Sequence, residues 1–212
     1  SDLLSLGVNL YYMKYKDQLV PTGMVNDDSN ALNTNVPDSY RRGVELSASW
    51  RATGWFTVGA NATFSQNRIE NYVDALKDSP TYGKELGDMT IAYSPDVIAN
   101  AFLNFHHRGF EAVFHTQHVG KQYFTNNEND ALSLDAYCVT NLNLAYTFRT
   151  RSARSVRLGL LINNLFNAEY ESNGYGYSYM DTWSGPAPVR IDEAYYFPQA
   201  PLNVLANVTV KF

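Results

Sequence analysis

From Trp55 to Gln66 the chain alternates without a break: Phe56, Val58, Ala60, Ala62 and Phe64 hold one phase, and Thr57, Gly59, Asn61, Thr63 and Ser65 the other. A strict period of two over this length requires a strand with two unlike faces and excludes a helix, whose apolar positions recur at three and four. Leu4, Leu6, Val8, Leu10 and Tyr12 repeat the pattern against Ser5, Gly7, Asn9 and Tyr11, as do Val44, Leu46, Ala48 and Trp50 against Glu45, Ser47 and Ser49. Val97, Ala99, Ala101, Leu103 and Phe105 oppose Asn100, Asn104 and His106, with Ile98 and Phe102 out of pattern. Leu134 to Phe148 and Leu202 to Phe212 are nearly as regular. Val156 to Phe166 and Phe110 to Tyr123, the latter of ambiguous phase, complete a set of eight strands. No helical period of comparable length occurs, so the expected fold is an all-β antiparallel meander.

Length and links sharpen this. A soluble strand averages ~5–6 residues and a tilted strand crossing a bilayer needs ~9–11; most of these runs reach ten. The links Arg51-Ala52-Thr53-Gly54, His107-Arg108-Gly109 and Arg149 to Ser155 are short. The links from about Asp17 to Ser39, Asn67 to Ala92, Phe124 to Ser133 and Asn167 to Phe197 are mostly long and rich in Asn, Asp, Ser, Gly and Tyr. Short and long links alternate, so the long ones leave one end of the sheet and the short ones the other, as in outer-membrane barrels with short periplasmic turns and long external loops.

Composition fits the same picture. The 16 Tyr, 11 Phe and 3 Trp fall in bands. Trp50, Trp55, Phe56, Phe105, Phe110, Tyr146, Phe148 and Phe212 lie at the short-turn ends and predict a membrane-interface belt. Tyr12, Phe64, Tyr93 and Phe166 predict a second belt at the other end. A water-soluble β-sandwich filling its core with these rings is the competing architecture, and the long strands, alternating links and banding weigh against it. A slightly negative mean hydropathy decides nothing, because alternation averages out. The longest apolar run, Leu158 to Ile162, is far short of a spanning helix. The start, Ser1-Asp2-Leu3-Leu4, lacks the marks of a signal peptide, so the chain reads as mature or truncated. The net charge of −5 and scattered basic residues exclude a nucleic-acid footprint. Cys138, the single cysteine, has no partner and reads as a small apolar residue.

The run Ile162-Asn163-Asn164-Leu165-Phe166-Asn167-Ala168-Glu169-Tyr170 resembles the "NNLFN…Y" stretch on the penultimate strand of TonB-dependent outer-membrane receptors. Tyr195 to Asn203 followed by a strand ending at Phe212 is similar to that family's closing strand. Tyr40-Arg41-Arg42-Gly43-Val44-Glu45 resembles its "R-G-V/I-E" strand start, and Val119-Gly120-Lys121-Gln122-Tyr123 its "V-G-K-x-Y" stretch. Asn207 stands where the assembly signal usually has Gly, and Leu202 where many members have Arg. The resemblance implies that 1–212 is the C-terminal segment of a single barrel of about 22 strands, with earlier strands and an N-terminal plug absent. It implies a Gram-negative outer-membrane importer of an iron chelate, haem or similar nutrient. Its expected partners are outer-membrane lipid, the TonB system through the plug, the barrel-assembly machinery through the strand ending at Phe212, and a small-molecule ligand. The alternative is a complete eight-stranded barrel acting as an adhesin or structural membrane protein.

No enzymatic constellation emerges, and neither a cofactor nor a metal is expected. His115 and His118, three apart on a strand, point to opposite faces, which argues against zinc; His106 and His107 sit at a short turn. The stretch Tyr72 to Tyr93, with mixed Asp, Glu and Lys, reads as a solvated face. The last long link interleaves Tyr with Gly and Ser, and Tyr175, Tyr177, Tyr179 and Trp183 are the candidate ligand-binding residues, since such rings give large contact area at low entropy cost. The opposing reading of these rings is self-packed loop filler.

Overall fold

The computed structural model describes residues 3–26 and 30–212. The readings placed on Ser1 and Asp2, and on Asp27, Asp28 and Ser29 of the first long link, lie outside them. Thirteen strands occur among the described residues: β1 (Leu4–Val25), β2 (Ala31–Thr53), β3 (Phe56–Ile69), β4 (Met89–Thr90), β5 (Val97–His107), β6 (Phe110–Val119), β7 (Gln122–Tyr123), β8 (Ser133–Leu134), β9 (Tyr137–Phe148), β10 (Ser155–Asn163), β11 (Glu171–Asp181), β12 (Val189–Pro198) and β13 (Asn203–Lys211). A single helical turn, Asp130–Leu132, is capped by the Asn129 side chain.

Eight long strands form one antiparallel sheet in the order β1-β2-β3-β5-β6-β9-β10-β13, with the short β4 added on β3. These are the eight expected strands. Register partners share a face, and the chain of partners Leu4, Trp50, Val58, Leu103, Phe114, Leu142, Ile162 and Val204 is apolar from edge to edge. This row enters at the first residue of β1, at the short-turn end, and leaves at the second residue of β13, at the long-link end. Such a stagger accompanies tilted strands that close into a barrel. The phase of β6 is settled by its neighbours: Phe110, Ala112, Phe114, Thr116 and His118 share the apolar face, and His115 lies on the other.

The distribution of burial is inverted relative to a soluble domain. Along the eight strands Leu6, Val8, Leu10 and Val208 are each at least 65% exposed, whereas both compact cores sit at the long-link end, one of them between the outer ends of β1, β2 and β3 and the link that follows. One core is Val20, Val36, Ile69, Tyr72 and Ile91; the other is Phe124, Leu132 and Leu134, with Ala194 packed against it. An apolar face of this extent, open on one side of a sheet, is what a lipid-facing surface requires and what a soluble monomer avoids.

The opposite face is polar. Asn61 accepts from Asn100 at 3.2 Å, Asn9 donates to Glu45 at 3.0 Å, and Asn163 donates to Asn203 at 2.9 Å. Phe102 lies on this face over Gly59, where a Cβ would come within 2.3 Å of the ring. That accounts for its break in pattern: the glycine leaves the space the ring fills. Small and amide residues are also joined here by an ion pair that alternation does not reveal, since both guanidinium nitrogens of Arg157 reach the Glu111 carboxylate at 2.7 Å.

The links differ from expectation in three places. Most of Asp17 to Ser39 is strand, because β1 and β2 continue past a left-handed Asp17 (φ 53°) and pair to Val25↔Ala31. Most of Asn167 to Phe197 is the β11–β12 hairpin, paired apart from the main sheet. Residues 120–134, divided in sequence between two long strands and a link, instead hold the short β7–β8 pair. The short turns match. Arg108 and Gly109, with φ of 48° and 85°, form a two-residue hairpin of the type that suits strand twist.

Candidate functional site

Three of the long links and the tip of the β1–β2 hairpin converge at one end of the sheet, and a buried amide holds them together. Asn126 is fully buried; its Oδ1 accepts from the Ala92 amide at 2.7 Å, and its Nδ2 donates to the Pro21 carbonyl at 2.6 Å. Beside it, Glu128 accepts from the Thr90 amide at 2.9 Å and also from the Thr90 hydroxyl and Arg68. The stretch from Tyr72 is folded about Asp74, whose carboxylate accepts from the Leu76 amide, Ser79 and Thr81 at 2.9, 3.0 and 2.5 Å. Burial, with the charge of Asp74 adding to it, pushes the Tyr72 hydroxyl up to about 12. Part of this segment, read as a solvated face, is therefore interior.

The β11–β12 hairpin lies on this platform, and its sequence, Gly174-Tyr175-Gly176-Tyr177-Ser178-Tyr179, separates by face. Gly174 and Gly176 turn toward Phe124 and Leu132, where a Cβ would sit 2.7 and 2.9 Å from their side-chain atoms. No larger residue leaves room for that approach. The Tyr93 hydroxyl, 3.4 Å from the Gly174 carbonyl, donates to it, and Tyr93 packs on Phe124 at 5.8 Å. Tyr93 thus belongs to the platform, and of the proposed second belt only Tyr12, Phe64 and Phe166 stay with the apolar face, Phe166 against Phe114 at 6.2 Å.

The other phase of the hairpin presents Tyr175, Tyr177 and Tyr179. Register puts Tyr195 opposite Tyr175 and Glu193 opposite Tyr177. Tyr175 stacks on Tyr195 with centroids 4.9 Å apart, and Tyr177 lies 6.4 Å from Tyr195. The Glu193 carboxylate accepts three phenol hydroxyls, from Tyr177 at 2.6 Å, Tyr195 at 2.9 Å and Tyr179 at 3.1 Å. Those three donors, Tyr177 first, hold the Glu193 carboxyl below the ordinary carboxylate range. In return the Glu193 hydrogen bond raises Tyr177, and Tyr195 adds to it. The result is a ladder of rings with fixed hydroxyls, nearly half exposed at Tyr175 and Tyr195.

Trp183 stands apart from the ladder at the hairpin tip, 77% exposed, its amide tied to Asp181 at 3.0 Å. The structure therefore groups Tyr175, Tyr177 and Tyr179 and leaves Trp183 separate. Glu193 and Tyr195 are not among the candidates the sequence offers, although the alternation Ile191, Glu193, Tyr195, Phe197 within the last long link carries the signal of a strand. At the opposite end, Trp55 meets Phe105 at 5.2 Å and Phe56 at 6.0 Å, Phe105 meets Phe110 at 5.9 Å, and Tyr146 meets Phe148 at 5.9 Å. Trp50 shares their face at the register of Leu4, and Phe212 is almost fully exposed.

Residues 1–165 match a family model described as TonB dependent receptor-like, beta-barrel. No curated relative matches the chain. Among solved structures, the ferric yersiniabactin uptake receptor FyuA from Yersinia pestis superposes with a TM-score of 0.67 at 18% identity, covering 100% of this chain and 28% of that one. The ferric-catecholate import receptor Fiu from K12 E. coli gives 0.63 at 18%, covering 97% and 25%. The copper transporter OprC gives 0.63 at 19%, covering 98% and 29%. The chain thus spans between a quarter and a third of the length of these receptors, and at such identity the likeness concerns the fold.

Proposed function

This chain belongs to the β-barrel of the TonB-dependent receptors, a Gram-negative outer-membrane family, and from that premise we propose that it is the C-terminal part of a plugged barrel importing an iron chelate or similarly scarce nutrient. In this reading residues 1–212 are eight staves of one larger barrel domain, the long links face outward from the cell, and the plug that gates transport and contacts TonB lies elsewhere in the receptor. The rings of Trp50, Trp55, Phe56, Phe105, Phe110, Tyr146, Phe148 and Phe212 sit at one membrane interface, where amphipathic aromatics are favoured. The strand ending at Phe212 engages the barrel-assembly machinery.

The observation that carries the uptake role is the tyrosine ladder. One face of the hairpin is locked onto Phe124 and Leu132 while the other holds Tyr175, Tyr177 and Tyr195 in place around Glu193. Rings immobilised before the ligand arrives lose little entropy on contact, which favours capture of a planar or aryl-bearing chelate. Trp183 adds a reaching contact from the tip.

The test uses the full-length receptor, with binding of ferric chelates followed by intrinsic fluorescence and growth on each chelate as sole iron source. Replacing Tyr175 and Tyr177 by Ala is expected to weaken capture of the cognate chelate about tenfold or more, on the order of 1.4 kcal/mol, with barrel assembly unchanged. Full affinity and growth in that variant would remove the ladder from the site. An open reading frame that starts beside residue 1, after a signal peptide only, would instead favour the small complete barrel.

A further inference from the structure

Three of the four phenols on the ladder have already spent their hydrogen. A phenol has one hydrogen to donate and a carboxylate can only accept, and Tyr177, Tyr179 and Tyr195 all give theirs to Glu193. Their oxygens therefore meet a ligand with lone pairs alone, and Tyr175 is the one phenol left to donate. The rings act in the same sense, since an aromatic face is the negative side of its quadrupole, and those of Tyr175 and Tyr195 stand nearly half exposed.

The hairpin has no cation to set against this. Residues 171–198 hold four carboxylates, Glu171, Asp181, Asp192 and Glu193, and a single cation, Arg190. Arg190 shares the phase of Ser178 and the platform-facing glycines, opposite to the ladder, and donates to Asp192 at 2.8 Å and to Ser178 at 3.0 Å. Arg68 and Lys121 of the platform are likewise paired, with Glu128 and Asp130. An anionic chelate laid on the rings finds the Tyr175 hydroxyl, and gains a second phenol donor only by taking one from Glu193 and leaving that carboxylate short of a partner. An ammonium or amide N–H instead meets ready acceptors and a ring face that attracts cations.

We propose that the ladder takes an iron chelate of positive or zero net charge, carrying ammonium or amide N–H groups at its edge, and disfavours chelates whose edge is carboxylate or catecholate. The proposal rests on the uptake reading of the ladder and adds to it the charge class of the ligand. A cation over an exposed tyrosine face gains roughly two- to fivefold in affinity, and salt screens the attraction of the surrounding carboxylates.

The test uses the full-length receptor and three probes on one iron(III) trihydroxamate core, ending in a free ammonium, its acetyl amide or its succinyl half-amide, so that the terminal charge runs from positive through neutral to negative. Intrinsic fluorescence is expected to rank them ammonium, acetyl, succinyl, with the ammonium form ahead of the acetyl form by roughly two- to fivefold and the spread narrowing as salt rises. E193Q should bring the three together, and E193D, which keeps the charge, should hold the order; the wild-type ranking is a test in itself if either variant misfolds. Equal or reversed affinities in the wild type, an unchanged ranking in E193Q, or a receptor that binds only chelates of net negative charge overturns the proposal and leaves the uptake reading in place. A receptor that binds no iron chelate, or whose binding survives Y175A/Y177A undiminished, overturns the uptake role of the ladder and this proposal with it.

Discussion

Asn126 joins segments that are far apart in sequence, and its amide is matched on both sides by main-chain groups of other links. Asn126→Ala strands the Ala92 amide and the Pro21 carbonyl in a buried setting, at a cost of about 1–3 kcal/mol; faster hydrogen exchange at the Ala92 amide checks it. Glu193 gives a second residue-level prediction, this time in pH. Its carboxyl lies below the ordinary range, so the three hydroxyl contacts persist above that range and are lost only as pH falls through the lowered value. Tyr177 lies above the ordinary tyrosine range, so its contribution is complete below that range and is lost as pH rises through the raised value. Glu193→Gln removes the charge that opposes tyrosinate, and Tyr177 should then ionise nearer the ordinary range, read as an earlier rise in tyrosinate absorbance. An unchanged titration curve would show that the carboxylate does not govern the ladder.

Among elements, the β11–β12 hairpin owes its position to two glycines. Gly176→Ala puts a methyl 2.9 Å from side-chain atoms of Leu132 and Phe124, so the hairpin must lift or the platform must shift, costing roughly 1–3 kcal/mol. Limited proteolysis within 171–198 should speed up in this variant, while Gly185→Ala, whose Cβ would meet the Ala187 carbonyl only at 4.0 Å, should behave as wild type. The same glycines explain why the hairpin was not legible in sequence. The stretch from Asn173 to Tyr177 has the composition of a turn, and its alternation of Gly with Tyr shows as a two-faced strand only once Phe124 is known to lie underneath. Likewise Pro21, Pro37 and a run of Asn and Asp hide the outer halves of β1 and β2, although Asp17 absorbs the irregularity and Val20 and Val36 are buried there. By contrast the staves were readable, since each strand's own residues carry both faces. The convergence on Glu193 was not, because it depends on pairing between residues 14 and 16 positions apart.

For the whole molecule, the inverted burial makes a directional prediction. Leu144 lies on the apolar face between Ala112 and Leu160, and its neighbour Asn143 lies on the polar face. In a bilayer Leu144→Arg should cost about 2–4 kcal/mol near the midplane, with Asn143→Arg costing much less; refolding of the full-length receptor into lipid vesicles against urea measures both. Reversed or equal costs would turn the sheet inside out. The staggered row from Leu4 to Val204 has a further consequence, for heredity. Each strand takes its height from the one before, so one inserted codon within a stave inverts the faces of everything beyond it in that strand and offsets the neighbours it pairs with. Two inserted codons restore the faces but leave a step in the rim. Insertions and deletions are therefore tolerated only in the links, which leaves the long loops free to diversify in length while the wall they stand on keeps its residue count.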